Sequence, residues 1–296
     1  MTTLVIGARG GIGRHVLDQL LATGEPVRAS VRDRRSGADL PPAAEVVVAD
    51  LTRPDTLRPA LDGVHRVFLY APLGPSGAEG FAAVAAEAGV ERVVLLSSGS
   101  VLLPGMEHNA IAAEHRAVED ALTAADLPWT PVRPLVLASN TLRWAESIKS
   151  GGTVSLVYPD AITAPIHERD VAAVAVAALL ADVGGGVGVS VSVEDAAAED
   201  STAAMLTGPD LISQRRQVEL VGQVIGRTLR VEELSPDQAR EHYGRFTDSA
   251  TVEAILQFQA AAADGGSPRT QTVPHVLGRA GLSFEQWARD HAQDFG

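Results

Sequence analysis

Leu4-Val5-Ile6-Gly7-Ala8-Arg9-Gly10-Gly11-Ile12-Gly13 opens the chain and decides its fold. A short β-rich run over residues 3–6 ends at glycine, and residues 12–22 follow with apolar side chains at helical spacing. Each glycine has a separate task at such a strand-to-helix turn. Gly7 permits the tight turn, Gly10 lets backbone approach a pyrophosphate, and Gly13 lets the helix pack closely on the strand. The helix then presents unpaired N–H groups and the positive end of its dipole to an anion. Gly11 and Ile12 complete this candidate phosphate loop. A glycine triplet alone is weak; its position after the first strand of a βαβ unit makes it specific.

The alternation continues outward. Residues 27–31, 45–48, 67–70, 93–96 and 129–132 read as strands, and 54–61, 78–88 and 110–125 as helices. Strands alternating with helices predict an α/β fold, a doubly wound parallel sheet with helices on both faces. Beyond Pro134 the rhythm changes. A short helix is expected around 142–148, a strand at 153–157, and a helix at 168–181 that returns to the main sheet. Residues 184–204 read as a strand pair or a loop. A helix at 213–226, a strand at 229–233, a helix at 235–243 with Ser235 as N-cap and Pro236 in its first turn, and a helix at 283–295 complete the reading. The expected layout is a dinucleotide-binding core at 1–134 and a smaller C-terminal substrate lobe at 135–296, with 164–182 returning to the core.

Composition narrows the function. A net charge of −13 argues against nucleic acid and anionic membranes as general partners. With no cysteine there is no disulfide, thiolate nucleophile or Cys-bound zinc, which fits a cytoplasmic location. No basic n-region and long apolar run opens the chain, and the longest apolar stretch, 171–180, is too short to span a bilayer. No metal site is expected, since His108 and His115 lack a third ligand, and no G-x-S-x-G elbow occurs. The expected partner is a small-molecule substrate; a homodimer is compatible with the chain.

Arg32 stands at the end of the second strand, where an NAD(H)-specific protein would carry an acid for the ribose hydroxyls. A guanidinium there suits a 2′-phosphate, so NADP(H) is expected over NAD(H), with Arg9 as a second positive contact. Asp33, next along, is the residue that would oppose this reading by turning inward.

The G-x-x-G-x-x-G spacing, Val94-Leu95-Leu96-Ser97-Ser98, Leu127-Pro128-Trp129-Thr130-Pro131-Val132-Arg133-Pro134 and Ala164-Pro165-Ile166-His167-Glu168-Arg169-Asp170-Val171 together resemble the NmrA-like, NAD(P)H-binding branch of the atypical short-chain dehydrogenases/reductases. The resemblance implies a Rossmann-like sheet, bound NAD(P)(H) and a substrate pocket under the C-terminal lobe. It also implies that Asp50, followed by Leu51, meets adenine, although a plain turn aspartate reads the same. Backbone at Pro134 would meet the nicotinamide amide. Members include quinone and enone reductases, other biosynthetic oxidoreductases, and redox sensors that bind without turnover.

The Tyr–Lys pair of ordinary short-chain dehydrogenases is missing. Lys149 is the only lysine, with Ala145 four residues before it, and the usual places fall at about Ile111 and His115. His115 is therefore the candidate catalytic residue, as ribose ligand or proton donor, or else a helix histidine with no such role. Ser97 and Ser98, at the carboxyl end of a strand, are candidates for nicotinamide contact or for strand-end capping. Tyr70, Ala71 and Pro72 are expected along the adenine–ribose side, and His108, Asn109 and Asn140 in the substrate pocket. Trp129, Trp144 and Phe81 are the aromatics available to stack on a planar ligand. Three functions stay open: an NADPH-dependent oxidoreductase passing hydride to a quinone- or enone-like acceptor, a non-catalytic NADP(H) sensor, and a non-redox isomerase, cyclase or dehydratase.

Overall fold

The computed structural model describes residues 1–70, 74–125, 127–181 and 205–296. In chain order its first half runs β1 (Thr2–Val5), α1 (Gly11–Ala22), β2 (Val27–Val31), β3 (Glu45–Val48), α2 (Pro54–Leu61), β4 (Val64–Leu69), α3 (Gly74–Glu87), β5 (Arg92–Leu96), α4 (Ala110–Ala124) and β6 (Trp129–Pro134). There follow α5 (Ala145–Gly151), β7 (Thr153–Leu156), β8 (Ile162–Thr163), α6 (Glu168–Leu180), β9 (Met205–Leu206), β10 (Ile212–Ser213) and α7 (Gln214–Val224). The chain ends with β11 (Arg230–Glu233), α8 (Pro236–Tyr243), α9 (Ser249–Gly265), α10 (Thr272–Leu277), α11 (Phe284–Asp290) and α12 (Ala292–Phe295).

Among the described residues, seven parallel strands form one sheet in the order β3-β2-β1-β4-β5-β6-β9. The order reverses between β1 and β4, which leaves a crevice at their carboxyl ends. Period-2 alternation feeds both faces. Leu4 and Ile6 join one core with Leu57, Phe81 and Leu122 from α2, α3 and α4. Val5 joins the other with Val16 and Leu17 of α1 and Val171, Val174 and Leu179 of α6. Both faces are covered, as a parallel sheet requires. Each such fully buried Leu, Val or Phe contributes about 1.5–3 kcal/mol. A third core gathers Trp144, Ile148, Leu156, Val218, Val221, Phe284 and Trp287, and a smaller fourth Val157, Tyr243, Val252 and Leu256.

Helix α6 also fastens the end of the chain. His167 caps it by accepting from the Arg169 N–H, while its Nε2 faces Asp290 at 3.2 Å. The buried Asp170 accepts from Arg279 at 2.7 Å and from the Leu282 N–H at 2.6 Å. Glu168 accepts from the Trp287 indole N–H at 2.9 Å and meets His291 at 2.7 Å. Burial alone would raise the Glu168 pKa, but the facing imidazoles of His167 and His291 hold it well below the usual carboxylate range. Glu168 in turn raises His291, aided by Asp294.

The structure corrects several sequence boundaries. β4 starts at Val64 and α3 at Gly74, both earlier than the apolar pattern suggests. The region of the expected short helix is a 3-10 turn, Ala138–Trp144, leading into α5. The expected C-terminal helix breaks at His291 into α11 and α12. Helices α9 and α10 and the strand β9 were not expected. Ser235 does cap α8, in a full capping box with Gln238 and with proline in the first turn. Residues 184–204 lie outside the described residues.

Candidate active site

The phosphate loop has the geometry its glycines predict. Gly7 adopts a left-handed φ of 85°, and Gly10 N–H donates to its carbonyl at 2.9 Å. At Gly13 a Cβ would sit 2.1 Å from the Gly7 carbonyl oxygen, so only glycine lets α1 approach β1 this closely. Gly10 is the N-cap; no side chain caps the helix, and no acid lies in its first turn. Backbone bonding into the helix starts with Arg14 N–H to Gly10 at 2.8 Å. The Gly11, Ile12 and Gly13 N–H groups are thus left for an outside acceptor. A pyrophosphate fits this cradle.

The side chains expected on the adenosine side differ in their commitments. Arg32 is exposed and makes no ion pair or hydrogen bond with described residues. Asp33, its potential opponent, caps the 3-10 turn Arg34–Gly37 by accepting from the Arg35 N–H at 3.1 Å. Arg9 is only loosely paired, 3.9 Å from Asp39. Asp50 accepts from the Thr52 hydroxyl at 2.7 Å and its N–H at 3.0 Å, bonds that lower its pKa, and it lies 3.5 Å from Arg53. It has the bonding of a turn aspartate, and Leu51 beside it is buried. Tyr70, 42% exposed, lies against Gly7. Ala71 and Pro72 lie outside the described residues.

At the ends of β5 and β6 the candidates separate. The Ser97 hydroxyl donates to buried Glu119 at 2.6 Å, and Arg133 clamps the same carboxylate through two bonds of 2.8 and 2.7 Å. Ser97 is therefore spent on holding α4 against the sheet. Ser98 shares a 2.9 Å hydroxyl bond with Ser100, and both line a cavity of about 180 Å³. Pro134 is buried at the end of β6, and Leu135, Val136 and Leu137 after it form cavity wall. Asn140 and Asn109 line the same space. Asn109 is buried; it caps α4 through the Ile111 and Ala112 N–H groups and donates to Ala254 and Gln257 of α9. His108, by contrast, is exposed and is not part of this wall.

Ile111, in the tyrosine place, faces the cavity. His115 stands one turn further along α4, half-buried and off the cavity wall. Burial pushes its pKa down, against the pull of Glu114 and Glu119, so it is neutral near pH 7.

Much of the wall was not foreseen. Gln214 and Gln217 of α7, Tyr243 of α8, Phe258 and Gln259 of α9, and Arg143 enclose the side away from the sheet. Of the three aromatics available for stacking, Trp144 lines the cavity, whereas Phe81 is fully buried in the core under α3 and Trp129 packs at its edge. No described helix is long and apolar enough to cross a membrane.

A crevice at the strand reversal, an uncapped glycine loop and an enclosed cavity beside β5 and β6 define a dinucleotide-binding protein of the Rossmann type. The sequence profile of the NAD(P)H-binding family matches residues 7–182. The chain belongs to that family, in its NmrA-like, atypical short-chain dehydrogenase/reductase branch. It is 37% identical to the (4-alkanoyl-5-oxo-2,5-dihydrofuran-3-yl)methyl phosphate reductase of Streptomyces griseus, covering 99% of this chain and 98% of that one. It is 28% identical to the NAD(P)H azoreductase of Xenophilus azovorans, covering 99% of each. Among solved structures, the NADPH-dependent quinone oxidoreductase of Escherichia coli superposes with a TM-score of 0.76 at 19% identity, covering 98% of this chain and 99% of that one.

Proposed function

We propose that the protein is an NADPH-dependent reductase of a small enone- or quinone-like acceptor. The observation that carries this reading is that two features share one end of the sheet. The uncapped glycine loop lies at the carboxyl end of β1, and the cavity starts at Ser98 and Leu135, at the same ends of β5 and β6. NADPH, when bound, supplies a hydride. Gly11, Ile12 and Gly13 hold the pyrophosphate by their N–H groups, and Arg32 holds the 2′-phosphate.

The absence of the Tyr–Lys pair favours an acceptor that needs little acid help. A ring double bond carrying an oxo and an alkanoyl group, as in the name of the Streptomyces griseus relative, is such an acceptor, because two carbonyls share the charge that hydride addition creates. The Ser98 hydroxyl donates to the acceptor's carbonyl, and the wall at Leu135, Val136 and Leu137 bounds its ring. His115, neutral near pH 7, acts as a hydrogen-bonding group toward the nicotinamide ribose, and the proton comes from water.

The test is consumption of NADPH by the purified protein with a quinone, a simple enone, and a 4-alkanoyl-dihydrofuranone as its phosphate ester and its free alcohol. Turnover of at least one is expected. Tight NADPH binding with no turnover of any would overturn the reading in favour of a sensor, and turnover without nucleotide would leave a non-redox enzyme.

A further inference from the structure

Among the described residues, Arg143 is the only charged one on the wall of the inner cavity. It is also where that cavity meets a second recess of about 450 Å³, since both spaces are bounded by Arg143, Trp144, Tyr243 and Ile255. The guanidinium has five donors. One, Nε–H, donates to the Asn140 carbonyl at 2.8 Å, and no other reaches an acceptor among the described residues. Glu146 and His242 border the outer recess, yet no ion pair forms. Arg133, Arg215 and Arg240, for comparison, are each clamped by an acid.

Arg143 is accessible and crowded together. Its surface stays open because it borders hollow space, while the protein around that space pushes its pKa down through burial. With no counter-charge among the described residues and protein wall behind it, the guanidinium offers a bound anion more than an arginine on an open surface would. A second group on the same wall is also unspent: the Gln259 side-chain oxygen is buried with no partner. An amide can present oxygen or N–H at that point.

We propose that Arg143 is the anion anchor of the substrate site, binding a phosphate monoester or carboxylate carried by the molecule whose reacting part fills the inner cavity. The assignment rests on the reductase reading and names its substrate class. The anchor sets specificity and takes no part in the hydride step.

The experiment compares wild type, Arg143→Gln and Arg143→Lys with three forms of one dihydrofuranone: phosphate ester, carboxylate and neutral alcohol. Arg143→Gln is expected to raise KM for the favoured anion about ten- to a hundredfold, the weight of a charge-assisted bond. KM for the alcohol should rise much less than KM for the anion, with Arg143→Lys partly restoring the latter. The two anions distinguish phosphate from carboxylate. An equal rise in KM for anion and alcohol, or no change for either, overturns the proposal. If no form turns over, calorimetric titration with phenyl phosphate, benzoate and phenol, with and without NADP+, decides instead. Saturable anion binding that Arg143→Gln abolishes upholds the anchor even though the reductase reading has failed. Anion binding no tighter than phenol, or unchanged in the variant, overturns it.

Discussion

In the proposed complex the Arg32 guanidinium faces the one phosphate by which the two cofactors differ. Arg32→Ala should weaken NADPH binding about ten- to a hundredfold and leave NADH binding nearly unchanged. Nicotinamide fluorescence titration measures both, and an undiminished preference for NADPH would remove Arg32 from the site. Gly13→Ala is a harsher change. Its methyl would lie 2.1 Å from the Gly7 oxygen, an overlap that side-chain motion cannot relieve because both groups are backbone. A loss of about 3 kcal/mol or more is expected in urea unfolding, together with loss of nucleotide binding. Gly13 was legible in sequence because it answers a local question of turn geometry. The bond made by Ser97 was not, because its partner Glu119 lies 22 positions away, and no local pattern shows that a strand-end hydroxyl is already taken.

At the scale of elements, Asn109 joins the floor of the cavity to its roof. Its carbonyl caps α4 and its amide N–H groups reach Ala254 and Gln257 of α9. Asn109→Ala removes the cap and strands a buried carbonyl, which should cost about 2–3 kcal/mol. KM for the acceptor should rise more than Kd for NADPH; equal changes in both would mean that α9 does not act as a roof. The strands and helices of the first half were readable because each buries one clear face. Helix α9 escaped because it has no single stripe. Val252 and Leu256 pack with Tyr243 and Val157, while Ala254, Phe258, Gln259 and Ala262 face the cavity. An apolar residue that borders a hollow looks, in sequence, like one that borders a core. The roof was hidden for that reason.

For the whole molecule, the fastening of α11 and α12 to α6 makes stability depend on pH. Glu168 has a depressed pKa, so its contribution is complete above its ordinary value of 4.5 and fades as pH falls through its folded value. His291 has a raised pKa, so its contribution is complete below 6.5 and fades as pH rises through its folded value. The pair therefore stabilises most between pH 4.5 and 6.5. His291→Ala should cost about 3 kcal/mol in that window, since it leaves a buried carboxylate short of a partner. The gap in Tm between wild type and variant should narrow on both sides. A gap that is constant with pH would show that His291 acts through its stacking on Trp287, at 4.6 Å between ring centroids, and not through charge.

The two sheet faces also differ in when they become covered. Helices α2, α3 and α4 precede or adjoin the strands they protect, so the face carrying Leu4 and Ile6 is shielded by the time Pro134 has been made. The opposite face needs α6, whose Val171, Val174 and Leu179 arrive some forty residues later. A nascent chain emerging from the ribosome thus carries a finished phosphate loop above a half-naked sheet. During that interval Phe68, Val94 and Val132 are open to any apolar surface nearby, and this is the stage of synthesis at which a chaperone would have most to hold.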